Sequence, residues 1–427
     1  MILNSQASHS EVRRVFALHC AAMALLGMHV GVLGIMPVLL RKTFEAGEWQ
    51  TTLATMAIPS MAVLTIFWNE VYARLDSRRF LIGLWLTNHV PLIGITFCDQ
   101  AWSVLVFFVV STLTYCGINL FYADVLRTCY PAVIRNRLFA VLNSISLLCT
   151  IFSAYVIGRL LDIYPEAFRV YLPISVALAG LGVFLLIRIA AQPVFARRHV
   201  DHPQQPLWES LSRVVHNMAG VFREDRNFRR CEGAFFVYGL GFMFCNALMP
   251  FLVCDKLKME YAGVARSTQV SYHLVMLFTF LVGGYLMDRL GAIRVTTWSF
   301  VMVIFYPIGL TLVADEASLT LVVIYNALAM TGIQLGGTMV PLQLAGRPSH
   351  ASMYVGIHTA LVGPRAVIGH VVAIALYELT SRIELPLLLA AILYAGGAVL
   401  MIRLHRDYRA DTRAPAAGPL PVTPAAE

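Results

Sequence analysis

The chain has 427 residues, 58% of them hydrophobic and only 13% charged, with a formal net charge of +8. Ordinary soluble domains are about 45 to 50% apolar and about 25% charged, so this balance excludes a soluble globular protein. Nucleic-acid binding is excluded as the purpose of the charge, because the basic residues sit in short gaps between apolar blocks with no basic run interleaved with aromatics.

Those blocks are about 20 residues long, enough to cross a ~30 Å hydrocarbon core. In chain order they predict twelve spans, at approximately 15–40, 50–73, 80–98, 102–129, 138–161, 169–191, 233–254, 265–288, 293–314, 317–342, 352–377 and 384–404. The first follows Arg13 and Arg14 but is too long for a signal-peptide core, so it reads as a membrane helix. Interior prolines (Pro37, Pro59, Pro91, Pro173, Pro250, Pro307 and Pro364) mark kinks more than ends, since neighbouring helices satisfy the freed carbonyls. The longest polar gap, Gln192 to Glu232, separates two six-helix halves, giving units at 1–191 and 233–405 with a linker at 192–232. In that linker Leu207, Leu211, Val214, Val215, Met218, Val221 and Phe222 recur at helical spacing, as in an amphipathic surface helix acting as a tether. Residues 406–427 turn to Ala and Pro and read as a disordered tail.

Basic residues set the orientation: of 32, 23 fall on the side of both termini and the linker and 8 on the other. The positive-inside rule then places both termini in the cytoplasm. Compact loops without an N-x-S/T sequon fit a bacterial inner membrane. The eight cysteines form no C-x-x-C pair and read as small buried hydrophobes, and no His, Cys or acidic spacing suits a metal or other cofactor.

The chain also repeats itself at an offset of about 215. Gly117-Ile118-Asn119-Leu120 matches Gly332-Ile333-Gln334-Leu335, and Met36-Pro37 matches Met249-Pro250. Two halves of like orientation indicate a parallel duplication about an axis along the membrane normal, an architecture that places a site at the interface of the halves.

The run from Gly284 through Asp288, Arg289 and Gly291 to Arg294 resembles the G-x-x-x-D-R-x-G-x-x-R loop signature of the major facilitator superfamily, placed between the eighth and ninth spans where its second copy belongs. The first copy, Glu70 to Arg79, keeps Arg78 and Arg79 but loses the first glycine and carries Arg74 where the acid belongs. The resemblance implies an all-α membrane protein of twelve helices in two pseudo-symmetric six-helix bundles, working by alternating access. It implies gating roles for Gly284, Asp288, Arg289, Gly291, Arg294, Glu70 and Arg78. Glycines would allow close approach and a tight turn, with Asp288 capping or pairing at a helix end. Asp124 and Arg127, near a helix end, join them as a salt-bridged gate.

Among polar residues inside the spans, Arg365 stands out. It lies 14 residues from Ala351, about 21 Å along a helix, where a charge costs at least ~2.5 to 3.5 kcal/mol unless it meets water, an anion or a partner. The expected reading is a cavity-facing cation that meets an anionic substrate group; a structural arginine held by carbonyls freed at Pro364 and an ion pair with an unidentified partner are the alternatives. Asn119 and Gln334 are repeat-related amides near mid-depth. With Asn246, His29 and Tyr115 they complete the expected substrate-binding set, and His29 and His370 have the depth for a coupling proton. The expected function is secondary transport of a small polar organic solute, anions included, coupled to protons as a symporter. An exporter of amphipathic compounds and a transport-inactive receptor of the same fold stand as alternatives. No nucleophile, base and metal constellation supports an enzyme.

Overall fold

In a computed structural model of the chain, which describes residues 9–192, 195, 206–345 and 351–413, the described residues form helices and no strand. We number the helices α1 (His9–Thr43), α2 (Glu48–Arg74), α3 (77–95), α4 (Ala101–Cys129), α5 (Ala132–Ile163), α6 (Pro165–Ala190), α7 (Leu207–Glu224), α8 (Arg226–Lys256), α9 (Tyr261–Leu290), α10 (Ala292–Thr311), α11 (Glu316–Leu344), α12 (351–380) and α13 (Glu384–Arg413). Eleven of them are long and apolar enough to cross a membrane. The third predicted span, α3, is helical in three pieces, Ser77–Leu84, Trp85–His89 and Pro91–Ile95. Pro91 has no N–H to return to the preceding turn, so the helix widens into a π turn and restarts at the proline.

The same chemistry breaks α10 at Ile304, before Pro307, and α12 at Leu361, before Pro364. In both, the helix resumes with the proline in its first turn, where a missing donor costs nothing. Pro37 and Pro173 stay inside continuous helix.

Each half repeats one packing scheme. α1 lies on α5 and α6, and α8, its counterpart, lies on α12 and α13; between halves, α2 meets α12 and α5 meets α9. The 215-residue repeat survives at atomic detail. A β-carbon added to Gly117 would strike Leu84 and approach Phe80, and one added to Gly332 would strike Ser299 and approach Val295. Leu84 and Ser299, like Phe80 and Val295, are themselves 215 apart. Large apolar side chains such as Phe152, Leu281 and Ile392 stay exposed on the outside, as hydrocarbon solvent requires.

Several predicted boundaries move, among them the starts of α1 and α5, at His9 and Ala132 rather than at 15 and 138. α8 begins at Arg226, not 233, because the Asp225 carboxylate accepts the Phe228 N–H at 2.8 Å and caps the helix there. α13 continues through Arg413, so residues 406–413 are helical and not part of a tail; from Ala414 the chain lies outside the described residues. The predicted amphipathic linker helix is α7, whose Met218, Val221 and Phe222 pack on Phe228, Tyr354 and Ile357.

Candidate functional site

Two cavities open inside the bundle. The larger, about 470 Å³, is walled by α1, α3, α4 and α5 of the first half. Its polar lining is His19 and His29, Asn88 and His89, Thr114 and Tyr115, Asn119 and Tyr122, and Asn143 with Ser146. The π turn of α3 explains the second pair: it turns both Asn88 and His89 into the bundle, where they are 6% and 5% exposed. His29 and Ser175 share a 2.7 Å hydrogen bond, and the His29 and His89 rings stand 4.5 Å apart. His29 Nε2 and His89 Nδ1 are buried with no partner among the described residues, leaving two ring nitrogens for a guest or water.

The smaller cavity, about 270 Å³, lies between the halves. Gly34, Pro37 and Thr55 face Asn246, Thr268, Gln269, Tyr272, His273 and Asn326. It too borders a widened turn, the π segment Ala265–Val270 of α9. Gln334 Nε2 donates to Tyr272 Oη at 2.9 Å; this amide is itself exposed and meets the cavity lining at that hydroxyl. Among the described residues, no Asp, Glu, Lys or Arg lines either cavity.

The predicted substrate set is therefore divided. His29, Tyr115 and Asn119 line the larger cavity, Asn246 lines the smaller, and Gln334 touches it through Tyr272. Arg365 and His370 line neither. Arg365 is 4% exposed, and its guanidinium donates to the carbonyls of Phe235 (2.8 Å), Leu361 (3.0 Å) and His358 (3.3 Å). The position related to it by the repeat is Thr150, whose hydroxyl donates to Ser146 O and Gly27 O, both at 2.9 Å. Both residues thus tie their own helix, four residues back, to the first helix of their half. The cavity-facing orientation expected for Arg365 is corrected: packing on α8 turns it into the helix interface. His370 is fully buried, with Nδ1 2.7 Å from Ala366 O, and is likewise turned away from both cavities.

Cross-half hydrogen bonds gather at the end opposite α7. Arg41 forms a two-pronged ion pair with Asp255 (2.8 and 3.2 Å), Lys42 donates to Met259 O (2.8 Å), and Thr43 and Tyr261 share a 2.6 Å hydroxyl bond. Asp162 accepts the Tyr261 and Ala262 N–H groups at 2.7 and 2.9 Å, capping the first turn of α9 from the other half. The cross-half role of Asp162 depends on a turn 99 residues away in the chain. The chain is thus closed at the far end.

At the α7 end the signature residues are placed differently from expectation. Gly291 has φ +88° and forms the sharp α9–α10 junction, a conformation that favours glycine. Gly284 faces open space; the close approach falls on Gly283, against Thr331 and Leu335. Asp288 is exposed and neither caps a helix nor pairs with a described residue, which corrects that expectation. Arg289 and Arg294 lie over the rings of Tyr285 and Trp298 at 4.8 and 5.1 Å. In the first copy Glu70 pairs with Arg74 (3.7 Å), and Asp76 caps α3 by accepting the Arg78 N–H. The expected Asp124–Arg127 pair is present at 3.3 Å, with Tyr72 donating to Asp124 at 2.9 Å.

One buried pair escaped the sequence reading. Glu232 is 2% exposed and bonds His358 Nδ1 at 2.9 and 3.2 Å across α8 and α12. The predicted span began one residue after Glu232, which left it in the linker; Asp225, an N-cap residue three before Phe228, was the signal that would have extended the helix.

Comparison with known proteins agrees with this architecture. The model of the Major Facilitator Superfamily matches residues 15–351. A nucleoside transporter, NupG, shares 13% identity at a TM-score of 0.67, covering 93% of this chain and 99% of its own. The human organic anion transporter TETRAN shares 14% at 0.66, covering 91% and 99%. A peptide transporter, POT, solved with sulfate, shares 11% at 0.73, covering 95% and 96%. No curated relative matches by sequence. With a duplicated six-helix plan, a second-copy signature loop and a family match over most of its length, the chain is a multi-pass membrane protein of the major facilitator superfamily.

Proposed function

We propose that this transporter carries a small, polar, uncharged organic solute by alternating access, with both termini and α7 in the cytoplasm. The observation that carries the solute class is the lining: amides, imidazoles and hydroxyls, with no Asp, Glu, Lys or Arg among the described residues. Such groups donate and accept at fixed points without demanding a counter-charge. The anionic solute expected from a central cation loses its basis, since Arg365 is spent on carbonyls. The cross-half bonds at the far end support this reading, in which they belong to the access state that opens toward α7. His29, on the wall of the larger cavity, remains the candidate through which a proton would accompany the solute; His370 is not so placed.

The test is flux into proteoliposomes across neutral polar solutes, organic anions and organic cations, with and without a pH gradient. A neutral polar solute is expected to be carried best, with Asn119→Ala and Asn143→Ala raising its KM. Preferred carriage of an anion, lost in Arg365→Ala, would overturn the reading.

A further inference from the structure

We infer that the larger cavity takes a flat, uncharged nitrogen heteroaromatic solute, held on its faces by side-chain rings and on its edge by amides, wholly within the first half. The inference rests on the neutral-solute reading above and narrows its class. Three observations meet in the cavity. First, its walls carry rings in pairs: His19 and Tyr122 stand 5.7 Å apart between α1 and α4, and His29 and His89 stand 4.5 Å apart between α1 and α3. These are separations at which aromatic rings pack, and a guest ring can join such a pair by its face. Second, Tyr115, Asn119 and Tyr122 follow one another at steps of four and three, so one side of α4 presents ring, amide and ring to the cavity. An amide sets a donor beside an acceptor, which matches an acceptor and a donor side by side on the edge of a heterocycle. Third, His29 Nε2 and His89 Nδ1, both buried, have no partner among the described residues and can meet further polar atoms of that edge.

The apolar part of the lining separates this class from other neutral solutes. Leu26, Leu84, Ile118 and Leu126 wall the same cavity. A polyol carries a hydroxyl on nearly every carbon, and each one turned to such a wall would lose water without gaining a partner. A heteroaromatic ring keeps its polar atoms at its rim and offers apolar faces to the rest. The duplication points the same way, because the second half lacks the device. At the offset of 215, Tyr115 and Tyr122 become Met330 and Gly337, and Asn88 and His89 become Val303 and Ile304; of these five cavity residues only Asn119 keeps its chemistry, as Gln334. In the second half Met330 accepts the Tyr238 hydroxyl at 2.9 Å, and a β-carbon on Gly337 would stand 2.9 Å from His358 Nε2. Packing fills there what the first half leaves open to a guest. In this arrangement Tyr122 holds the solute by its face, and Asn119 reads its edge.

The experiment is equilibrium binding of radiolabelled adenine to the reconstituted full chain near neutral pH, with uracil and myo-inositol as competitors and purine, which lacks the amino group, as the edge control. Adenine is expected to bind and to be displaced by uracil but not by myo-inositol. Tyr122→Leu is expected to weaken binding about tenfold, and Tyr122→Phe, which keeps the ring, to change it less than about twofold. Asn119→Ala is expected to erase most of the preference for adenine over purine. Should Tyr122→Leu fold poorly, Tyr122→Met keeps much of the volume, loses the ring and is expected to show the same loss. Displacement by myo-inositol, absence of adenine and uracil binding, full affinity in the variant without the ring, or an unchanged preference in Asn119→Ala overturns the inference. Flux separates the two readings. A polyol carried while no heterocycle binds overturns the inference and leaves the neutral-solute reading standing, whereas heterocycle binding without flux of any solute supports the inference and counts against transport.

Discussion

Asp162→Asn tests how the far end is held shut. The carboxylate accepts two backbone N–H groups at 2.7 and 2.9 Å at the start of α9, with its charge at the positive end of that helix. A hydrogen bond to a charged acceptor contributes about 1.5 to 3 kcal/mol, and the helix-end charge adds about 0.3 to 1. Asparagine keeps one neutral oxygen and turns its NH₂ toward the second N–H, so the net loss is about 2 to 3 kcal/mol. That corresponds to roughly a 30- to 150-fold shift of the equilibrium toward the far-end-open state. Arg41→Gln, by contrast, breaks a pair whose side chains are 18% and 35% exposed, worth about 1 kcal/mol or less. The assay is a spin-label distance between Glu45→Cys and Lys258→Cys, exposed positions on either side of the far end, in a background with the native cysteines replaced. Asp162→Asn is expected to populate a longer distance and Arg41→Gln to do so less. Unchanged distances in Asp162→Asn, or a larger effect from Arg41→Gln, would refute the argument.

Further outcomes follow from the same geometry. Gly332→Ala, whose methyl would meet Ser299 Oγ, is expected to cost about 1 to 3 kcal/mol, whereas Gly284→Ala, facing open space, is expected to be neutral or slightly stabilising; melting on size-exclusion chromatography ranks them. Gly291→Ala forces a side chain to φ +88° and is expected to lower the melting temperature while Gly356→Ala, in open helix, does not. Asp315, at the exposed start of α11, is held below the usual carboxylate range by the hydroxyl and N–H of Ser318. Its folded pKa is depressed, so its contribution to stability is present above the ordinary Asp value and fades as pH falls through the folded value. Melting temperatures of wild type and Asp315→Asn are therefore expected to differ at pH 6 to 7 and converge in the acid range below the ordinary value of 3.8.

The spans, their proline breaks, the amphipathic α7 and the duplication were all legible in the chain. A bilayer demands long apolar runs with internally satisfied backbones, and duplication leaves matched residues at one offset. Gly291 was legible as well, because a tight turn has a local cause. What the chain alone left open is the direction in which each polar side chain points, since a helix turned by one residue swings a side chain through about 100°. Arg365 illustrates this. Its depth was readable, but whether it met a cavity or a carbonyl was decided by α8 lying against it at Gly239. The same holds for Glu232 and His358, 126 residues apart, and for Asp162 and its α9 turn. The sequence determined which groups the membrane would contain; only tertiary packing decided which of them are spent on one another and which are left facing the cavities, because that depends on helix rotation and on partners far away along the chain.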